Sequence, residues 1–376
     1  MKVHQYLAHS LDDFRMPTDG QANLVLGFGL KSLLEEPGIY EAIRAKFPKA
    51  IIALCSSSGE IHHTEVYEGT LSLLSMSFDR TELRHKGINI SDYPDSFSAG
   101  EDVVRDLLAD DLQHILILSD GNLVNGSELV KGLDSIVPEG ISITGGLAGD
   151  GADFDYTLVG LNEPPKQGRV LAIGFYGSSL RVAHGSFGGW EPFGLEKTVT
   201  KSSANELFEI NGKSALNTYK EYLGKYASEL PGSALLFPLS IRISDGEEYL
   251  VRTILSIDEE RSSMVFAGDI PEGSKVRFMK ANIDRLVDAA GIAANAAMTG
   301  FDAINPQVAL LISCVGRKLV LGDRVDEEVE AVVDILGKNT VLSGYYSYGE
   351  ISPLREGGAC ELHNQTMTIT CLQEVD

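Results

Sequence analysis

Positive charge is scarce in this sequence: 31 Lys and Arg stand against 54 Asp and Glu, a formal charge of −23 at pH 7. Such a field repels phosphate backbones and anionic lipid, which argues against nucleic-acid and membrane-surface partners. Long apolar runs are missing as well. No stretch approaches the roughly 20 residues needed to span a bilayer, and the first twenty residues lack the apolar centre of a signal peptide, so the expectation is a cytoplasmic protein. Cysteine is sparse, and Cys55, Cys314, Cys360 and Cys371 form no Cys-x-x-Cys pair. That removes a zinc ribbon and a thioredoxin-like couple and leaves reduced, mostly buried thiols as the expectation. Phosphate-cradling signatures are absent: Gly27 and Gly29 are followed by no third glycine at dinucleotide-binding spacing. Haem attachment through Cys-x-x-Cys-His and metal spacings of the His-Glu-x-x-His type are also missing.

What the chain does contain is a repeated pattern over its 376 residues. NLVLGFG, a helix in which Ile39, Ile43 and Phe47 recur every four residues, and AIIALC form one strand–helix–strand run. HILILSDG, a helix with Leu129, Val130, Leu133, Ile136 and Val137 on one face, and ISITGGLAGDG form a second. VALLISCVGR, a helix with Val325, Val329, Val332, Val333 and Leu336 on one stripe, and TVLSGYYSYGEI form a third. Short apolar strands joined through a helix pair in parallel, so the pattern predicts an α/β chain of internally duplicated β-α-β units. Between the units lie β-rich stretches such as GRVLAIGFYG and YLVRTILSID, which predict additional antiparallel strands. Ser98–Glu101 and Ser203–Glu206 read as capping boxes that start helices, and Gly224 as a helix stop. The Gly/Pro-containing connection that follows predicts two domains, 1–225 and 226–376.

Ligands of α/β sheets bind beyond the carboxyl ends of the parallel strands. Ser57-Ser58-Gly59-Glu60-Ile61 and Ser347-Tyr348-Gly349-Glu350-Ile351 match at such ends, and Gly146 and Asp150 of GGLAGDG fall at a third. Glu60 and Glu350 read either as paired carboxylates gripping a cationic or hydroxyl-bearing group, or as duplicated turn chemistry that accepts backbone amides. Cys55 has no nucleophile signature around it and reads as a small buried residue. Tyr345, Tyr346 and Tyr348, with Trp190, suit a small-molecule pocket or an ordinary core. A single axial histidine suffices for haem, which keeps His184, His363, His62 and His63 as candidates. No acid, base and nucleophile set can be assembled, so a non-enzymatic binding protein is expected, a hydrolase or transferase using Glu60, Glu350 or Cys55 being the alternative.

LCSSSGEI at 54–61, GGLAGDGADFDYTLV, Gly189-Trp190, ELFEINGKSAL, Val251-Arg252, SCVGR, GYYSYGEI and Leu362–Thr366 occur in an order that resembles the FIST family, named for F-box and intracellular signal-transduction proteins. The resemblance spans nearly all of the chain after about position 20, as tandem N- and C-terminal FIST regions. It departs at the first motif, where the family has Gly-Cys-Ser-Thr and this chain Leu54-Cys55-Ser56-Ser57. The resemblance implies a bacterial sensory input module that binds small ligands such as amino acids. Its implied partners are a histidine kinase of a two-component system, a diguanylate cyclase or a chemoreceptor, and some members are haem-based nitric oxide sensors. The candidate ligand contacts are Cys55, Ser57, Gly59, Glu60, Gly146, Asp150, Arg252, Tyr346, Gly349 and Glu350, with His363 or His184 as the iron ligand if haem is bound.

Overall fold

Each of the three β-α-β runs forms a parallel strand pair, for the reason the periodicity indicates: fully apolar strands are buried on both faces and need a helix to cover one of them. The computed structural model describes residues 1–14, 18–230, 232–243, 249–301, 305–355 and 357–375. In the first unit Leu24–Gly29 runs parallel to Ile51–Ser56, Leu24 opposite Ile51 and Gly29 opposite Ser56. Leu112–Ser119 pairs with Ser142–Leu147 in the second, and Val308–Cys314 with Val341–Ser347 in the third. The connecting helices Ile39–Lys46, Gly126–Ile136 and Val325–Leu336 bury Ile39 and Ile43, Leu129 and Leu133, and Val329, Val332 and Leu336.

Beyond its first strand each unit carries an antiparallel closing strand: Leu71–Ser77, Arg169–Tyr176 and Met367–Glu374 in turn. Each closing strand carries one more antiparallel neighbour, namely Lys2–Ala8, Glu82–Asn89 and Leu180–Phe187. Beyond its second strand each unit receives a strand from another. Val159–Leu161 of the second unit pairs with Ile51–Ser56 of the first. Gly349–Pro353 of the third pairs with Ser142–Leu147 of the second, and Glu60–His62 of the first with Val341–Ser347 of the third. The exchange closes into a ring, and the predicted duplication is a threefold arrangement.

A separate β body is inserted between Leu180–Phe187 and the helix Ile283–Met298. Its sheet contains Glu191–Ser203, Glu206–Ile210, Leu239–Arg242, Leu250–Arg252, Ile254–Asp258, Ser263–Phe266 and Lys275–Lys280. Its own core gathers Leu207, Tyr219, Phe266 and Phe278. Residue 225, where composition places the domain change, falls inside this body, in the 3-10 segment Gly224–Glu229. The helix Ile283–Met298 returns the chain to the third unit and buries Ala290, Ala293, Ala294 and Ala297 against Leu311 and Ile369.

Both predicted capping boxes need correction. The helix Ser96–Arg105 starts one turn earlier than expected because Asp95 accepts the Ser98 amide at 2.7 Å, a stronger cap than serine at the same end. Ser203–Glu206 is a strand-to-strand turn: Ala204 takes φ 49°, and the flanking β-formers pair across it. The next helix, Ala215–Leu223, is capped by Ser214 and does end at Gly224.

Close backbone approach explains the glycine at the centre of the third parallel pair. A Cβ at Gly344 would overlap the Leu311 carbonyl oxygen, which is backbone and cannot move aside. Gly344→Ala is therefore expected to lower the unfolding free energy by about 3 kcal/mol or more in urea titrations. Gly20→Ala, with open space around it, should change it by less than about 0.5 kcal/mol.

Candidate functional site

The turns that follow the second strands are the points where the chain crosses into the next unit's sheet, and they meet at the centre of the ring. Ser58 donates its amide to the Tyr346 carbonyl at 2.8 Å, and Tyr346 returns a bond to Gly59 O at 2.9 Å. The Gly149 amide reaches Ser56 O at 3.0 Å, and Gly151 N reaches Ser58 Oγ at 3.0 Å. Ser57-x-x-Glu60, Leu147-x-x-Asp150 and Ser347-x-x-Glu350 thus occupy corresponding places, and Asp150 is the third member of the set.

All three carboxylates are buried; the two glutamates bond within their own units, whereas Asp150 also bonds to the other two. Glu60 accepts Ser57 Oγ, Thr70 Oγ1 at 2.7 Å and the Thr70 amide at 3.2 Å. Glu350 accepts Ser347 Oγ at 2.6 Å, Thr366 Oγ1 at 2.9 Å and the Thr366 amide at 3.2 Å. Each glutamate pins the start of the closing strand to the crossover, which is the turn-chemistry reading of the two. Asp150 holds its own loop through the amides of Phe154, Asp155 and Tyr156, and takes Lys31 Nζ at 2.9 Å and the Tyr348 hydroxyl. Burial pushes Glu60 upward and Glu350 up to about 8, outweighing the hydroxyl donors that favour the ionised form.

The other sequence candidates are packing groups. Cys55 is buried beside Tyr345, and burial pushes its thiol up, away from the reactive thiolate. Gly146 fits under Ile312 and Tyr345, and Gly349 against Leu362 and Leu147. Tyr346 donates to Glu328 Oε1 at 2.6 Å, joining a buried pair in which Arg317 Nη2 stands 2.8 Å from Glu328 Oε2. Arg252 belongs to the β body and reaches the ring by donating to the Leu362 carbonyl at 2.9 Å, with burial pulling it down to about 10. His363 is buried with Nε2 2.8 Å from the Ser352 carbonyl, and burial pulls it down to about 4. His184 lines a cleft of about 380 Å³ with Gln113, Ser142 and Thr299, at the amino ends of the second unit's parallel strands. Of the two histidines named for haem, His184 is the one facing a cavity. Among the described residues no group of three or more His, Cys, Asp or Glu is placed to hold a metal ion, and no helix is long and apolar enough to cross a membrane.

The cleft at the carboxyl ends of the parallel strands belongs to the second unit. About 590 Å³ in volume, it runs between Gly121–Gly126, Leu147, Phe154 and Tyr348 of the ring and Asn205, Leu255, Ser256 and Val265–Gly268 of the β body. None of its lining residues is charged. Phe154 stacks on Tyr348 with ring centroids 4.8 Å apart and holds φ 52°, a left-handed backbone rare for a large side chain. The helix Gly126–Ile136 begins in the cleft with Asn125 as its cap. One edge is framed by Asp269 of the β body, whose carboxylate takes Lys131 Nζ at 3.2 Å and Asn125 Nδ2 at 3.4 Å. Of the lining residues the sequence reading named Tyr348 only as one of several aromatics that suit a pocket or an ordinary core, and it did not single out Asn122, Asn125, Phe154, Asn205 or Ser256. The available signal was the turn-rich run DGNLVNG following the second unit's first strand.

This architecture is that of a multi-unit α/β protein with a cleft between a strand-exchanged ring and an inserted β body. The chain belongs to the FIST family: the FIST N domain model matches residues 23–213 and the FIST C domain model residues 215–353. FIST domains are sensory domains of signal transduction. An uncharacterized protein of Methanocaldococcus jannaschii is 28% identical over 163 residues, a match covering 39% of this chain and 31% of that protein. The matched part is thus less than a third of that relative's length. A crystal structure of cyanuric acid hydrolase from A. caulinodans is similar over 100% of this chain and 98% of that one, at 7% identity and a TM-score of 0.39.

The raised pKa of Glu350 has a pH consequence. The unfolded chain releases this proton near pH 4.3, and the folded chain retains it up to about pH 8. Between these values the unfolded state binds fewer protons, so stability falls as pH rises. Glu350→Gln removes that contribution. Its urea midpoint should fall less than that of wild type between pH 5 and 8 and lie above it at pH 8, with the residual slope reporting Glu60 and, in the opposite sense below about pH 6.5, the buried His114 and His363.

Proposed function

We propose that this chain is a cytoplasmic, non-catalytic sensor that binds a small metabolite, such as an amino acid, in the cleft between ring and β body. Occupancy is passed to a separate partner of the histidine kinase, diguanylate cyclase or chemoreceptor type. The observation that carries the reading is the cleft itself, walled by two separately cored bodies, so that a ligand touching both changes their relative stability. Its chemistry favours binding over turnover. The lining offers amide side chains, backbone groups and aromatic faces, and no carboxylate, histidine, cysteine or lysine for proton transfer or nucleophilic attack. The first turn of Gly126–Ile136 suits a carboxylate, and Phe154 and Leu255 supply apolar surface for a side chain.

Thermal-shift screening of amino acids and other small metabolites tests this. At about 100-fold excess over Kd a ligand stabilises the folded state by roughly 2.7 kcal/mol, a rise of several degrees in Tm. Ser256→Trp, which fills the cleft from an exposed position, should keep the unliganded Tm and lose the shift. Shifts that persist in Ser256→Trp would sink the assignment. A haemin absorbance band abolished by His184→Ala would instead move the sensory site to the other cleft.

A further inference from the structure

The ring creates three junctions at which the segment leaving one unit's first strand lies over the crossover turn of the next. At the first, Lys31 reaches Asp150 at 2.9 Å. At the second, Lys318 of the helix Val315–Leu321 packs its Cε against Gly59 and pairs with Glu68. At the third, the segment Asp120-Gly121-Asn122-Leu123-Val124-Asn125-Gly126 lies over Tyr348, where a Cβ on Gly121 would stand 3.0 Å from the ring. This segment contains no lysine or arginine.

The residues that correspond to the lysine-bound turn of the first unit are anomalous in the third. Glu68-Gly69-Thr70 of the first unit corresponds to Asn364-Gln365-Thr366 of the third, since Thr70 and Thr366 make the same pair of bonds to Glu60 and Glu350. The middle residue has a left-handed backbone in both, φ 77° at Gly69 and φ 65° at Gln365, as it does at Gly168 with φ 71°. A glutamine is strained in a conformation that glycine adopts freely. Glu68 has its lysine. Asn364 Oδ1 and both polar atoms of the Gln365 amide are buried with no hydrogen-bond partner among the described residues. Buried polar groups without partners are costly, so this cluster is unfavourable until something else pairs it.

We propose that a nitrogen-donor group of the ligand, a primary ammonium or an amide N–H, occupies this third junction and donates to Asn364 Oδ1 and Gln365 Oε1, as Lys318 meets Glu68 in the first unit. The inference rests on the cleft reading above and names which end of the ligand goes where. Tyr348 lines the cleft, and its carbonyl accepts from Asn364 Nδ2 at 3.4 Å. The Gln365 amide lies next to this turn, against Gly316 of the helix Val315–Leu321.

Calorimetric titration of the full chain with the common amino acids, each against the deaminated carboxylic acid of the same side chain, tests the proposal. At least one amino acid should bind, with its deaminated counterpart weaker by about tenfold or more. Gln365→Gly reproduces Gly69 and Gly168, so it should keep or raise the unliganded Tm while weakening amino-acid binding by about tenfold. Asn364→Asp should tighten binding of the amino acid over its deaminated counterpart. Equal binding of the two series, unchanged affinity in Gln365→Gly, or no binding by any amine-bearing probe overturns the proposal. Abolition of binding by Ser256→Trp in the first two cases would leave the cleft reading standing. In the third, that reading is decided by the amine-free metabolites of the thermal-shift screen.

Discussion

The fold depends on a carboxylate at the point where a strand leaves its own sheet. Glu60 is the first residue of the strand that the first unit donates to the third, and its two oxygens tie that crossover to Thr70, where the unit's own closing strand begins. Glu350 does the same through Thr366. Without such a tie the chain could continue its strand locally, since an apolar β-former carries no instruction about which sheet it should join. Both acids are buried away from any cation at hydrogen-bonding distance, and the neutral form is favoured for Glu350 at neutral pH. The fixation is thus by short-range hydrogen bonds in a medium that strengthens them.

The β-α-β units were legible in the sequence because they are local: strand and helix periods are carried by residues such as Ile39, Ile43, Val329 and Val332 that lie within one turn of one another. The destination of the donated strands was not, because the pairing of Glu60 with Tyr345, or of Gly349 with Leu147, joins residues far apart in the chain. The repeated Gly-Glu-Ile was visible as a motif, and its structural role follows only from that pairing. Asp150 completes the set without the serine, so its equivalence to the two glutamates had no matching spacing to display. Ser203 was misread because a capping box and a β-turn share residue types, and the strands on either side decide between them.

The cleft was harder still to read. Its walls are loops and strand ends from residues 121–126, 154, 205 and 255–268, brought together by the insertion of the β body, and its polar groups are amides and backbone atoms that carry no motif. The candidates chosen by chemistry, the acids and the cysteine, are the residues that fold the ring. A carboxylate whose partners are all intramolecular serves architecture.

The β body enters and leaves the ring within the third unit, between Leu180–Phe187 and Ile283–Met298, and has a core of its own. The ring's cyclic exchange of strands involves no residue of that body. Substitutions in the inserted body can therefore reshape the wall it contributes to the cleft, Asn205, Leu255, Ser256 and Val265–Gly268, without touching the strand pairs that interlock the ring.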